Sequence, residues 1–359
     1  MDERRAEIIV YVIAVFSWIL SGLIHHPELG WSIYSDINSF WWRPDSAEQL
    51  RRGEVPCFQF FFEYPPASCL TIYVSAIMSS GEISRYYQAF FYLSLPAYIA
   101  LAWSIINVAR MSGAGLLGLV FIASPSLVVY GIYNFDHFAA AMSGIAVVFM
   151  MRRRFLISGL AAGIGFAFKL YPAFIVPVAL LECRGRERYV LFAAFLAAAA
   201  PLFIIQEIIN PGMLARFYEY HSGWGLENAW YIWIFFDQFS PTAKLLGTLL
   251  GAFLVIQAWL ARGPPLSKIF LAVSAWLMMS YIFTPQMTIW LLPLFPAVSR
   301  SVLPYWPSFE ISNVSIILTW FGDYNPLMPP APPQIMALVR AFSLALMMIS
   351  VYRAYIRRS

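Results

Sequence analysis

PPASCLTIYVSAIMSS, residues 65–80, is the stretch on which the fold of this chain turns. It is largely apolar, yet it opens on Pro65-Pro66 and carries Ser68, Thr71, Ser75, Ser79 and Ser80. A helix needs about 20 apolar residues to cross a bilayer. Prolines at the start suit a first helical turn, where an N–H has no partner to lose. Whether these residues cross the membrane sets the side on which every later loop lies.

Working outward, apolar runs recur at 6–24, 86–109, 114–131, 138–151, 155–168, 170–181, 188–207, 243–261, 267–283, 287–302, 309–321 and 334–352. If 65–80 also crosses, Arg4 and Arg5 fall on one face while Arg152–Arg154, Arg184, Arg186 and Arg188 fall on the other. Short basic loops belong on the cytoplasmic side. Laying 65–80 along the outer interface removes the conflict. About twelve spans remain, with both termini cytoplasmic. Fifteen of the 23 lysines and arginines, Arg353, Arg357 and Arg358 among them, then lie inside and seven outside. Thirteen of the 19 acids lie outside, and Asp2 is among the inner ones.

Composition agrees. The chain is 60% hydrophobic and 12% charged, whereas a soluble domain carries about a quarter of charged residues. Residues 1–359 read as one all-helical, polytopic membrane domain with two large outer loops, 25–85 and 208–242. Arg4 and Arg5 precede the first apolar run, and no small-residue cleavage site separates it from His25-His26-Pro27. That run is expected to stay as the first span. Cys57 and Cys69 share one outer loop and could bridge, which their spacing leaves open. Cys183 sits in a basic inner loop and reads as a free thiol. Topology accounts for the net charge of +4, so nothing calls for nucleic acid.

Polar chemistry collects in the outer loops. Tyr34 and Asp36 are followed by Phe61-Phe62-Glu63-Tyr64-Pro65-Pro66. An acid among aromatics at a membrane surface can serve as a general base with a raised pKa. Asn134, Asp136 and His137 stand before a short run, where an acid–imidazole pair is expected to function; Asn134 or Asp136 also suits a helix N-cap. Lys169-Leu170-Tyr171-Pro172 interrupts the apolar stretch 155–181. Two short helices meeting at the outer side explain it, leaving an ammonium that calls for an anion, and lipid phosphates live at that depth. The second loop holds Tyr218, His221, Trp224, Glu227 and Trp230, aromatic faces beside polar groups of the kind that bind sugar rings. Thr284-Pro285-Gln286 and Arg340 are further polar points in the outer half. No Walker loop or dinucleotide fingerprint is present, and His25, His26, His137 and His221 make no zinc pattern. No cofactor or metal is expected.

Taken together, the early acid, the aromatic-Glu63-Tyr64-Pro65-Pro66 element, the interfacial helix, the Asn134-x-Asp136 element and the Lys169–Pro172 turn after the helix of Gly159 to Gly165 resemble the GT-C superfamily of membrane glycosyltransferases. The chain is most similar to the polyprenol-phosphate-mannose-dependent family 87 type, and also to the catalytic subunit of the first GPI mannosyltransferase, over roughly residues 6–300. The resemblance implies a polyprenyl or dolichyl monophosphate donor carrying a hexose, mannose foremost, and a glycan or lipid-linked acceptor. It implies inversion at the sugar carbon and a site on the extracytoplasmic or luminal face among membrane lipids. It puts the catalytic acid on Asp36; with Asn38 where some relatives carry a second acid, a metal-free donor fits. The expected set is Asp36 as base, Lys169 and Arg340 on donor phosphate, and Tyr34, Glu63, Tyr64, Asn134, Asp136, His137, Tyr171, His221 and Gln286 on substrate. A secondary transporter or lipid flippase is the alternative; against it, the ionisable residues gather at the outer mouth instead of the midplane.

Overall fold

The computed structural model describes residues 3–29 and 32–356. Asp2, Arg357 and Arg358, counted among the inner charges above, lie outside them. The described residues are helical, with only two isolated bridges, Pro56 with Phe60 and Glu227 with Ile282.

Helix α1, Glu3–Ile24, leads into an outer loop with two short helices, α2, Asp36–Phe40, and α3, Ala47–Arg51. Helix α4, Pro66–Ile77, follows, and Cys57 is bonded to Cys69 within it. With Pro66 in its first turn, α4 has 12 residues, or about 18 Å at 1.5 Å per residue, well short of a ~30 Å hydrocarbon core. Helix α5, Ile83–Met111, runs for 29 residues despite Pro96. The run 114–131, expected as one span, is broken: α6, Leu116–Leu119, passes through a 3-10 turn to Ser124, where the chain extends and Pro125 starts α7, Pro125–Tyr130. The Ser124 hydroxyl caps that new start by accepting from the Leu127 N–H.

Helices α8, Asp136–Met151, and α9, Phe155–Phe168, are joined by a tight turn. Helix α9 stops at Lys169, whose backbone is extended, and a 3-10 turn at Tyr171–Phe174 leads into α10, Ile175–Glu182. Helix α11, Glu187–Ile209, packs closely on α9. Its backbone lies so near that a Cβ on Gly159 or Gly163 would meet the carbonyl oxygens of Leu191 and Phe195 at 2.3 and 2.4 Å. Small residues one turn apart let apolar helices approach this way. The second outer loop carries α12, Met213–Gly223, and α13, Ile232–Phe235, before α14, Pro241–Leu260, and α15, Pro265–Met279.

The run 287–302, also expected as a helical span, is irregular. It forms 3-10 turns at Pro285–Leu291 and Phe295–Val298 before α16, Ser299–Val302. Pro285, Pro293 and Pro296 each remove an N–H that a continuous helix would need. Helices α17, Trp306–Leu318, and α18, Pro332–Val351, close the bundle. Five helices, α1, α5, α11, α14 and the one beginning at Pro332, are long and apolar enough to cross a bilayer. The chain is an all-helical integral membrane protein.

Candidate active site

A cavity of about 1020 Å³ opens where the first outer loop, the Lys169 turn, the second outer loop and the irregular 280–290 segment converge. Asp36 lies on its wall. The amide N–H of Asp36 donates to the Tyr133 carbonyl at 3.1 Å, which ties the start of α2 to the start of α8. Asn134 Nδ2 donates to Asp36 Oδ2 at 2.6 Å, and the Tyr64 hydroxyl does so at 3.3 Å. Asn134 Nδ2 also reaches the Tyr64 oxygen at 2.8 Å, so the three side chains form a closed triangle. Burial pushes the Asp36 carboxyl up to about 6, against the pull of Asn134 and Lys169. It thus remains a base at neutral pH with a proton affinity raised toward that of a working catalyst. Burial, and then Asp36 itself, push the Tyr34 and Tyr64 hydroxyls up, keeping both as neutral donors.

Lys169 lies on the same cavity. Its ammonium stands 4.8 Å from the Tyr64 ring centre and 3.5 Å from Asp136 Oδ2. Asp136 is fully buried, and its other oxygen accepts from the Trp290 indole N–H at 2.6 Å. The Trp290 ring stacks on Tyr171 at 4.1 Å. A chain of contacts, Tyr171 to Trp290 to Asp136 to Lys169, therefore fixes where the one positive charge of this turn sits. The expected capping role of Asp136 is not realised: Phe135 occupies the N-cap of α8, and Asn134 Oδ1 accepts the Phe135 N–H.

Most of the residues expected from sequence face the cavity: Tyr34, Asp36, Glu63, Tyr64, Asn134, Lys169, Tyr171, His221 and Gln286. Glu63 is nonetheless committed to Arg43, whose guanidinium meets both of its oxygens. His221 Nδ1 donates to the Phe217 carbonyl, 2.8 Å away, and burial lowers its pKa. Three expectations are corrected. Asp136 is not on the cavity wall but behind Lys169. His137 is fully buried among the rings of Phe90, Tyr98 and Phe138, away from the cavity. Arg340 is fully buried as well. Its Nη1 donates to Asn313 Oδ1 at 2.9 Å, and its Nη2 reaches the carbonyls of Asn228 and Phe283. Those three protein oxygens hold its Nη atoms away from the cavity, whose lining does not include Arg340.

Two charged wall residues, Lys244 and Glu227, lie outside the expected site set, although Glu227 belongs to the sugar-binding run read from the second loop. Lys244, at the start of α14, donates to the Ser222 carbonyl at 3.1 Å. Glu227 is held on the cavity wall by a bridge, with its N–H on the Tyr281 carbonyl at 2.8 Å and its own carbonyl on the Phe283 N–H at 2.9 Å. The aromatic and polar run around it was visible in the sequence; its position opposite residues 281–283 was not.

A buried, hydrogen-bonded carboxylate and a clamped ammonium thus share a cavity in an all-helical membrane fold. Residues 61–288 match the family model of Glycosyltransferase family 87, and the chain belongs to that family. No curated protein sequence matches it. Among solved structures, it is similar to ArnT from Cupriavidus metallidurans in the apo state, with a TM-score of 0.52 and 14% identity over 96% of this chain and 76% of that one. The same enzyme bound to undecaprenyl phosphate superposes with a TM-score of 0.47 and 14% identity, over 96% and 77%. The likeness to the apo structure is one of fold.

Proposed function

We propose that this glycosyltransferase moves a hexose, mannose foremost, from a polyprenyl monophosphate carrier to a glycan or lipid-linked acceptor, with inversion. The observation that carries this reading is the presence of Asp36 and Lys169 on one cavity, the first held as an acceptor and the second as a cation. In the reaction the Asp36 carboxylate takes the proton of an acceptor hydroxyl. That oxygen bonds to the sugar C1 as the bond from C1 to the phosphate oxygen breaks. The phosphate leaves with its carrier lipid, and Lys169 offsets the charge that develops on it. Asn134, Tyr64 and Tyr34 orient the base, while Asp136 positions Lys169. His221 and Gln286 are free to meet the donor sugar. No nucleotide is needed, because the leaving phosphate is already on the lipid.

We place the cavity on the extracytoplasmic or luminal side, with both termini cytoplasmic and residues 1–359 acting as one membrane domain. The 12-residue length of α4 supports leaving it out of the spans. The Cys57–Cys69 disulfide in the same loop as Asp36 supports an oxidising compartment. The test is transfer from polyprenyl-phosphate [³H]mannose by the purified full-length protein in detergent. Asp36→Asn is expected to lower turnover by about 10³ at unchanged donor binding; wild-type turnover by that variant would remove the base assignment.

A further inference from the structure

The cavity holds two carboxylates in opposite circumstances. Asp36 accepts from Asn134 and Tyr64. Among the described residues, none donates to the Glu227 carboxylate, although Glu227 is pinned at both its N–H and its carbonyl. Arg340 stiffens that bridge further by holding the carbonyls of Asn228 and Phe283 on either side of it. A rigid backbone therefore presents two carboxylate oxygens with open acceptor capacity to an aromatic cavity. Burial, with Asp36 nearby, pushes the Glu227 carboxyl up to about 7.

Asp36, Glu227 and Lys169 all line this one cavity. Lys169 is walled by Tyr64 and Asp136. Tyr34 lines the same cavity, with its ring 5.8 Å from that of Tyr133 and 6.2 Å from that of Phe321. Tyr34 is 43% exposed and Phe321 69% exposed, large apolar faces left open at the cavity mouth. Exposed aromatic faces beside a bare carboxylate are the two complements of a sugar: C–H faces stack, and adjacent hydroxyls donate.

We propose that Glu227, with Tyr34, Tyr133 and Phe321, forms the subsite for the acceptor glycan. This rests on the function proposed above. An inverting displacement needs the attacking oxygen opposite the leaving phosphate. With the phosphate at Lys169 and the base at Asp36, the unpartnered Glu227 carboxylate is left to hold the acceptor. A pair of neighbouring acceptor hydroxyls donates to the two Glu227 oxygens, and a third hydroxyl then faces Asp36. Glu227 thereby selects which hydroxyl is glycosylated.

The test uses the full-length protein in detergent with two probes, octyl α-D-mannoside for the acceptor side and undecaprenyl phosphate for the donor side, each followed by tryptophan fluorescence and saturation-transfer NMR. Glu227→Gln and Phe321→Ala are expected to weaken octyl mannoside binding about tenfold or more while leaving undecaprenyl phosphate affinity within twofold. Glu227→Asp should recover part of the loss. Size-exclusion profile and melting temperature show whether each variant is folded, and Phe321→Ala, at an exposed position, serves if Glu227→Gln is not. Unchanged mannoside affinity in folded variants, no mannoside binding by the wild type, or weakened undecaprenyl phosphate binding in Glu227→Gln would each overturn the subsite. Undecaprenyl phosphate affinity unaltered by Lys169→Ala would instead sink the donor assignment, whatever Glu227 does.

Discussion

Lys169 and Arg340 are the two cations that sequence alone would send to the same anion, and the structure gives them opposite surroundings. Lys169 ends a helix, meets one carboxylate at 3.5 Å, and keeps part of its ammonium open to the cavity. Arg340 lies within α18 with no exposure and with oxygens from three separate segments against it. A guanidinium offers five N–H donors in a fixed fork and suits the joining of several backbone carbonyls. An ammonium is a compact charge that can trade one partner for another. The difference teaches that a cation near a cavity can serve a ligand only where its charged end reaches the cavity wall, as Lys169 does and Arg340 does not.

The comparison breaks most visibly at Arg340. Arg340→Ala leaves Asn313 Oδ1 and the carbonyls of Asn228 and Phe283 without a donor in a buried place, at a cost of about 3–5 kcal/mol. The expected result is poor yield of folded protein and a much lower melting temperature. A stable Arg340→Ala that loses only donor affinity would put Arg340 back among the ligands of the phosphate.

Lys169 should behave in reverse. Its removal alone strands the Asp136 charge, so the informative variant is Lys169→Ala with Asp136→Asn. Turnover is expected to fall about a hundredfold, with a melting temperature near that of the wild type. Wild-type turnover by this folded double variant would mean that the phosphate sits elsewhere, for instance at Lys244.

The pH response sharpens the contrast from the side of the base. With the Asp36 carboxyl near 6, kcat/KM should rise with pH and level off above that value. Stability moves the other way at this site. A carboxyl whose pKa rises on folding binds its proton more tightly when folded, so the folded state gains as pH falls from about 6 toward 3.8 and is penalised above 6. Asp36→Asn should therefore melt higher than the wild type at pH 8, by a free energy on the order of 1 to 3 kcal/mol, and the gap should close toward pH 4. A gap that stays constant with pH would show that Asp36 is solvated in the folded protein.

The smallest effect is expected at Trp290. Trp290→Phe keeps an aromatic ring on Tyr171 but removes the N–H that holds Asp136 Oδ1. One hydrogen bond to a charged group is worth about 1.5–3 kcal/mol, and only part of that reaches Lys169. A fall in turnover of about threefold to tenfold is expected, measured in the same transfer assay. No fall would mean that Asp136 orients Lys169 without help from the indole.

Asp36 and Lys169 were legible in the sequence because each is a charge placed against its surroundings: one acid among aromatics, one lysine inside an apolar stretch. The partners of Asp36, Tyr64 and Asn134, were legible as candidates but not as a triangle, since they lie 28 and 98 residues away along the chain. Trp290 could not be read at all as a partner of Asp136, 154 residues away. Tryptophan is common in membrane proteins, and only contact picks this one out.

By itself the sequence determined that the chain is helical and lives in a membrane, because burying so many apolar residues in lipid requires every backbone group to be paired within its own segment. It also marked the helix start at Pro65-Pro66 and the break at Lys169–Pro172, whereas the breaks within 114–131 and 285–298 emerged only in the structure. Tertiary structure alone decided which polar residues share a cavity. It turned His137 inward among rings, tied Arg340 to protein oxygens, and brought Glu227 onto the same cavity wall as Asp36. Period and composition specify a helix and its apolar face; the direction of one polar side chain depends on which distant segment arrives beside it, and that is settled only when the helices pack.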